Sequence, residues 1–235
     1  MPNTVLITGA NRGIGLAITK IFLEKGYLVL AGTRDMTNSK ELMELKQKYP
    51  ANLQPICLDV TSDKSVAKAF KEASKYVDKL DILMNNAGIQ PQPFDAKLED
   101  VDLNQCEEAF QSNSISPLRV AAAFLPLLRE SRMPRIANTS SGAGSISGKD
   151  NGLFYAYGPS KAALNMASRT MAFELKPENI IVVALDPGWV KTDMGGPNAS
   201  LAPEESAAAI VKTMESLTME KTGKFLYNDG KELKW

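Results

Sequence analysis

Tyr157 and Lys161 lie four residues apart in the run Tyr155-Ala156-Tyr157-Gly158-Pro159-Ser160-Lys161. On a helix that spacing stacks two side chains on one face. A free tyrosine ionises near pH ~10, and a neighbouring ammonium favours the phenolate by about 1.4 kcal/mol for each unit of lowering. A phenol so placed can exchange protons with an alcohol or carbonyl oxygen near neutral pH, which is half of a hydride-transfer reaction. Tyr155 competes for the role, but four residues beyond it stands Pro159, which carries no charge. Alone, the Tyr-x-x-x-Lys spacing is common and equally describes a surface helix with a partly buried ring and a solvated lysine. The chain contains no histidine. Imidazole bases, Ser-His-Asp triads and nearly all catalytic zinc sites are thereby excluded, and proton transfer falls to Tyr, Lys and carboxylates.

The other half of the reaction needs a dinucleotide. Thr8-Gly9-Ala10-Asn11-Arg12-Gly13-Ile14-Gly15 follows a first apolar run and opens a helical pattern. Glycines there permit a tight turn and let the backbone approach a pyrophosphate at the positive end of the helix. The spacing is Gly-x-x-x-Gly-x-Gly, not the general Gly-x-Gly-x-x-Gly, and a purely structural turn is the competing reading. After the second apolar run the chain reads Ala31-Gly32-Thr33-Arg34-Asp35, with Thr33 where an NAD site would carry an acid. The Arg34 guanidinium suits a 2′-phosphate and Arg12 could assist it, which favours NADP(H) over NAD(H). The opposing reading pairs Asp35 with Arg34 as an ordinary surface ion pair.

Positioning these groups requires alternating strands and helices. Strands are predicted at 4–8, 27–32, 53–58, 81–84, 135–139, 180–185 and 224–227. Helices are predicted at 13–25, 39–49, 64–77, 101–131, 157–175 and 203–217. Strands that are continuous apolar runs are buried on both faces, so the pattern predicts an α/β fold: a Rossmann-type, doubly wound parallel sheet of about seven strands flanked by helices on both faces. Pro117 and Pro126 lie within the long helical stretch and predict a kink or two segments. No internal repeat or composition break marks a second domain, so residues 1–235 read as one dinucleotide-binding unit.

With 44% hydrophobic and 23% charged residues the composition is globular. The 27 basic and 27 acidic side chains balance, giving no footprint for nucleic acid or an anionic membrane. Cys57 and Cys106 form no disulfide framework and read as buried small residues in a reducing compartment. The richest apolar run, 120–128, contains Pro126 and is far shorter than the ~20 residues of a membrane span. No targeting segment is visible at the N-terminus, and the expected location is cytoplasmic.

Taken in order, Thr8-Gly9-x-x-x-Gly13-x-Gly15, Asp59-Val60, Asn85-Asn86-Ala87-Gly88, Asn113, Ser140-Ser141, Tyr157-x-x-x-Lys161 and Pro187-Gly188 resemble the short-chain dehydrogenase/reductase family over essentially the whole chain. The run from Asp186 to Gly196 is similar to its carbonyl-reductase subgroup, which includes sniffer-like and C-factor-like proteins. The resemblance implies that Gly9, Asn11, Arg12, Gly13, Ile14, Gly15 and Arg34 line the cofactor, with Asp59 and Val60 near the adenine and Asn86, Ala87 and Gly88 presenting backbone. It further implies cofactor contacts from Pro187, Gly188, Val190 and Thr192, besides Tyr157 and Lys161. Asp59 could instead cap the next helix, and Asn113 could be a polar residue at a kink.

The implied catalytic set is Asn113, Ser141, Tyr157 and Lys161. Ser141 orients the carbonyl, Tyr157 donates the proton, Lys161 lowers the phenol pKa and holds the ribose, and Asn113 completes a water-borne relay. Ser140 competes with Ser141. Ser141 lies sixteen residues before Tyr157, about three more than the family norm, which lengthens the intervening loop. The expected activity is NADPH-dependent reduction of an aldehyde or ketone. The alternative is a C-factor-like signalling protein that binds dinucleotide without physiological turnover. Loops 89–94, 142–154 and 189–203 are the expected substrate walls, and Phe94, Phe154, Trp189, Met194 and Leu201 hint at an apolar carbonyl or alcohol partner. By analogy, copies pair through the long central helices as a homodimer.

Overall fold

The computed structural model describes residues 3–235. Seven strands, β1 (Thr4–Thr8), β2 (Leu28–Thr33), β3 (Leu53–Cys57), β4 (Ile82–Asn85), β5 (Arg135–Thr139), β6 (Ile181–Asp186) and β7 (Phe225–Tyr227), form one sheet in the order β3-β2-β1-β4-β5-β6-β7. Every pairing is parallel. The order reverses at β1, whose neighbours are β2 and β4, and this opens a crevice at the carboxyl ends of the strands.

Seven α-helices connect the strands: α1 (Gly13–Glu24), α2 (Lys40–Lys48), α3 (Asp63–Ala73), α4 (Leu103–Phe110), α5 (Ser116–Arg129), α6 (Tyr157–Leu175) and α7 (Pro203–Ser216). Successive strand residues point to opposite faces, so Val5 and Ile7 join one core while Leu6 joins the other. The first core packs Leu16 and Phe22 of α1, Leu42 of α2 and Ile210 and Met214 of α7. The second packs Val66 of α3, Val120 and Phe124 of α5 and Met171 of α6. The doubly wound architecture expected from the alternating pattern is therefore present. Among the described residues no helix is long and apolar enough to cross a membrane.

Most expected boundaries fall within a residue or two of the observed ones, and three differences have local causes. The long helix is divided, but not at Pro117, which sits in the first turn of α5 directly after the division. The division comes from a π-helical turn over Gln111–Ile115. Pro126 lies inside α5 without ending it. The third helix stops at Ala73, where Ser74 Oγ turns back to donate to the Phe70 carbonyl at 2.9 Å. Cys57, expected inside, is exposed at the end of β3, and Cys106 is only partly covered.

Phe124 shows what holds α5 on the sheet. It is fully buried, and the Phe70 ring meets it edge-on at 5.6 Å, so its removal leaves a cavity that neighbouring strands cannot fill. Phe124→Ala is expected to lower unfolding stability by about 3–5 kcal/mol in urea denaturation while the cofactor-facing half of the molecule keeps its shape.

Candidate active site

The carboxyl ends of β1, β4, β5 and β6 open into a cleft of about 1090 Å³. Its floor is the turn from β1 into α1. Gly9 takes a left-handed backbone (φ 65°), and a Cβ on Gly15 would stand 2.2 Å from the Gly9 carbonyl oxygen. Only glycine lets the strand and helix approach this closely. No side chain caps the N-terminus of α1 and no acid occupies its first turn, so its amide donors and partial positive charge face the cleft. Such a cradle fits a pyrophosphate.

Thr8 organises the opposite wall. Its hydroxyl accepts from the amides of Asn86 and Ala87, both at 2.9 Å, while Asn86 Nδ2 donates to the Thr8 carbonyl at 2.9 Å. Gly88 leaves room for what lies behind it: a Cβ there would stand 3.1 Å from Asn113 Oδ1 and 3.4 Å from Lys161 Nζ. At the far end of the cleft Arg34, Asp59 and Val60 line the wall together. Asp35 does not neutralise Arg34. It folds onto its own loop, accepting from Thr37 and Asn38, and those hydrogen bonds hold its carboxyl at about 2. Arg12 turns from the glycine loop to pair with Asp193 across the cleft. Asp59 accepts from the Thr61 amide and hydroxyl just ahead of α3, while Ser62 caps that helix.

Four side chains of the expected catalytic set converge at the β4–β5–β6 end. Ser140 is withdrawn from the cleft, its hydroxyl donating to Asn165 Oδ1 at 2.6 Å inside the protein. Ser141 instead lines the cleft together with Tyr157, its hydroxyl accepting from the Ala143 amide at 3.1 Å. Tyr155 points outward and is exposed. Lys161 is buried at 3% exposure, and its Nζ donates to the Thr139 carbonyl at 2.7 Å.

Asn113 occupies the π turn between α4 and α5. Its amide clamps Ile89 on both sides, accepting from the Ile89 N–H at 2.8 Å and donating to the Ile89 carbonyl at 2.9 Å, and it also donates to Ser160 Oγ at 3.0 Å. A regular helix would not aim this side chain at the β4 loop and α6 together.

The electrostatics depart from the expectation drawn from spacing. Burial pushes Tyr157 up to about 12 against the opposing influence of the Ser141 hydroxyl, and burial drives Lys161 down to about 8. The ammonium lies 5.5 Å from the centre of the Tyr157 ring and is turned toward Thr139. In this geometry the phenol keeps its proton.

Loops close the cleft from above. Phe154 adopts a left-handed backbone (φ 69°), rare for a bulky residue, and its amide donates to the Phe94 carbonyl at 2.7 Å. The two rings meet at 4.9 Å, and Phe94 meets the Tyr157 ring at 6.3 Å. The 189–201 loop is stapled at its base: the Lys191 amide donates to the Leu201 carbonyl at 2.9 Å and the Leu201 amide to the Trp189 carbonyl at 3.0 Å. Trp189 is not packed inside but 56% exposed, with its indole N–H on the Gly195 carbonyl at 2.8 Å. Thr192 and Val190 line the cleft, and a Cβ on Gly13 would stand 3.2 Å from Thr192 Cγ2.

Three contributors escaped the sequence reading. Thr8 and Asp186 stand inside quoted motifs without an assigned role, and both reveal themselves only through backbone amides brought to them by the fold. Ser160, which joins Asn113 to α6, carries no signal in sequence.

This glycine-floored crevice with Ser141, Tyr157 and Lys161 at one end belongs to a recognised class: a short chain dehydrogenase family profile matches residues 3–201, and the chain belongs to that family. It is an oxidoreductase family whose members bind nicotinamide dinucleotides. Among solved structures, the chain is similar to the carbonyl reductase Sniffer of D. melanogaster, with 34% identity, a TM-score of 0.94 and 100% of each chain covered. It is also similar to an NADPH-bound carbonyl reductase from chicken fatty liver, with 35% identity, a TM-score of 0.92, and 100% of this chain and 99% of that one covered. The C-signal protein of Myxococcus xanthus is 42% identical over 156 residues, which span 66% of this chain and 93% of that protein. The subgroup resemblance drawn from the 186–196 segment therefore holds.

The glycine floor supplies a direct test. A methyl at residue 15 would collide with the Gly9 carbonyl and with Asn86 Nδ2 at 2.6 Å, neither of which can retreat without opening the turn. Gly15→Ala is expected to reduce stability by about 1–3 kcal/mol in thermal melting and to abolish any stabilisation that an added nicotinamide dinucleotide gives the parent protein.

Proposed function

We propose that this chain is an NADP(H)-dependent oxidoreductase that reduces an aldehyde or ketone to an alcohol. The observation that carries the reading is that Ser141 and Tyr157 line one wall of the cleft together, with the Lys161 ammonium buried beside them. The residues present suit the cofactor: a glycine turn without side chains, an uncapped helix N-terminus for the pyrophosphate, and Arg34 for a 2′-phosphate, which Arg12 joins only by leaving Asp193. Asp59 and Val60 would meet the adenine, Asn86, Ala87 and Gly88 would follow the ribose, and Pro187, Gly188, Val190 and Thr192 would hold the nicotinamide end. When bound, NADPH supplies the hydride.

The chain's own residues manage the oxygen and the proton. Ser141 and Tyr157 grip the carbonyl oxygen with two donated hydrogen bonds and stabilise the charge that develops on it. Tyr157 gives up its proton, which its burial has kept in place; the alkoxide formed is a stronger base than phenolate, so the transfer runs downhill. Lys161 returns charge balance to the phenolate and, through Asn113 in its π turn, connects it with solvent. Phe94, Phe154 and Met194 make the walls over this oxygen largely apolar, favouring an apolar carbonyl compound. The substrate walls in this reading are loops 89–94, 142–154 and 189–203, all within one unit spanning residues 1–235.

Similarity to C-signal supports a second reading, in which the dinucleotide is bound for signalling and turnover is incidental. A panel of aldehydes, ketones and quinones with NADPH separates the two, since only the first reading expects rapid turnover. Within the first, Tyr157→Phe is expected to lower kcat by about 10²–10⁴-fold while NADPH fluorescence titration gives an unchanged Kd. Full activity of that variant overturns the assignment. Arg34→Ala is expected to raise the Kd for NADPH roughly tenfold and leave the Kd for NADH in place, the signature of one lost charge-assisted contact.

A further inference from the structure

Asp186 is a half-buried carboxylate at the end of β6 to which the reaction above gives no task. Its surroundings are specific. Asp186 Oδ2 accepts from the Gly142 amide at 2.8 Å, and Oδ1 accepts from the Gly188 amide at 2.7 Å. Gly142 directly follows Ser141, and Gly188 belongs to the turn assigned to the nicotinamide end of the cofactor. One side chain therefore ties together the two loops between which the carbonyl oxygen must lie. With an N–H directed at each oxygen, both oxygens must be acceptors, a demand that the carboxylate meets and the neutral acid meets only in part.

The same carboxylate stands close to the proton-handling pair. Lys161 Nζ is fixed to the carbonyl of Thr139, Thr139 pairs in register with Leu185, and Asp186 is the next residue along β6. Among the described residues the titratable groups facing Asp186 are Lys161 and Tyr157 from α6 and Tyr227 from the end of β7. Lys161 is the one cation of that group. A buried ammonium without a counter-charge sheds its proton, and a carboxylate beside a phenol discourages phenolate. Both effects act in the same sense, toward keeping a proton on each group of the pair.

We propose that Asp186 is a positioning residue that joins the Ser141 loop to the Pro187–Gly188 turn and whose negative charge holds the Tyr157–Lys161 pair in its fully protonated, proton-donating state, biasing the site toward carbonyl reduction over alcohol oxidation. The assignment rests on the oxidoreductase reading above. Burial raises the Asp186 carboxyl, but the Gly188 and Gly142 amides and Lys161 all favour its charged form. Asp186 in turn resists the burial that brings Lys161 down to about 8, and it adds to the burial that lifts Tyr157 to about 12. Because the two groups are coupled, the charge acts on the first proton lost by the pair, whichever residue releases it.

The test compares the parent protein with Asp186→Asn, Asp186→Ala and Asp186→Glu. Asparagine keeps the shape but turns an amide donor toward a backbone donor, so alanine provides a charge-free variant without that clash. With 13Cε-labelled lysine, the Lys161 resonance is assigned by its loss in Lys161→Arg and titrated in cofactor-free protein, a readout independent of turnover. The midpoint is expected to fall by more than ~0.5 pH unit, about a threefold change in proton affinity, in the Asn and Ala variants and to return in Asp186→Glu. In steady-state assays the high-pH decline of reductive kcat and the low-pH rise of alcohol oxidation both move to lower pH, with little change in KM for NADPH.

An unmoved Lys161 midpoint in either folded, charge-free variant overturns the proposal. So does a uniform loss of kcat at every pH, which marks a loop scaffold alone. If the parent protein reduces no carbonyl yet the lysine midpoint shifts as described, the functional reading fails and the electrostatic assignment of Asp186 stands.

Discussion

Keeping the Lys161 ammonium inside the protein is the constraint from which most of the site follows. An isolated charge removed from water costs several kcal/mol unless it gains hydrogen bonds and an opposite charge. Here the acceptor is a backbone carbonyl at the last residue of β5, and the opposite charge sits at the end of β6. Both are available because parallel strands finish side by side, delivering carbonyls and side chains from separate stretches of sequence to one edge. The sheet thus acts as the electrostatic frame for the lysine, and the lysine defines where proton chemistry can occur.

The remaining parts meet that edge by local departures from regular structure. The β1–α1 turn dispenses with side chains so that helix amides can face a ligand. The Gln111–Ile115 turn widens to five residues and aims Asn113 at both Ile89 and Ser160. Phe154 takes a backbone conformation that bulky residues seldom adopt, held by its amide on Phe94. Irregularity of this kind is tolerated where surrounding structure over-determines it, and it collects around the reacting centre.

Much of this was legible in sequence. Apolar runs alternating with 3.6-residue periods specify the doubly wound sheet, because burial on both faces leaves little freedom in strand placement. The glycine turn and the Tyr157–Lys161 pair are local patterns, and the fold brings them to one cleft. The π turn was not legible: nothing in the run Gln111–Ile115 distinguishes it from an ordinary helical turn, and the nearby Pro117 attracted the explanation instead. Nor could spacing reveal how the proton equilibria fall. Proximity on a helix suggests acidification of the phenol, but burial depth, which only the packed structure defines, pushes Tyr157 in the opposite direction. Asp186 escaped notice because its partners are backbone amides 44 residues upstream and 2 residues downstream.

The stapled base of the 189–201 loop has an evolutionary consequence. Val190 bridges Leu201, and the amides inside the loop find acceptors there too, from Gly196 to Thr192 and from Ala199 to Gly196. The sheet therefore does not depend on the residues between for its own hydrogen bonding. Exchanges in the outer part of that stretch, beyond Val190, Thr192 and Asp193, can accumulate without eroding the scaffold, so a lineage can change what it recognises there while inheriting the chemistry beneath it.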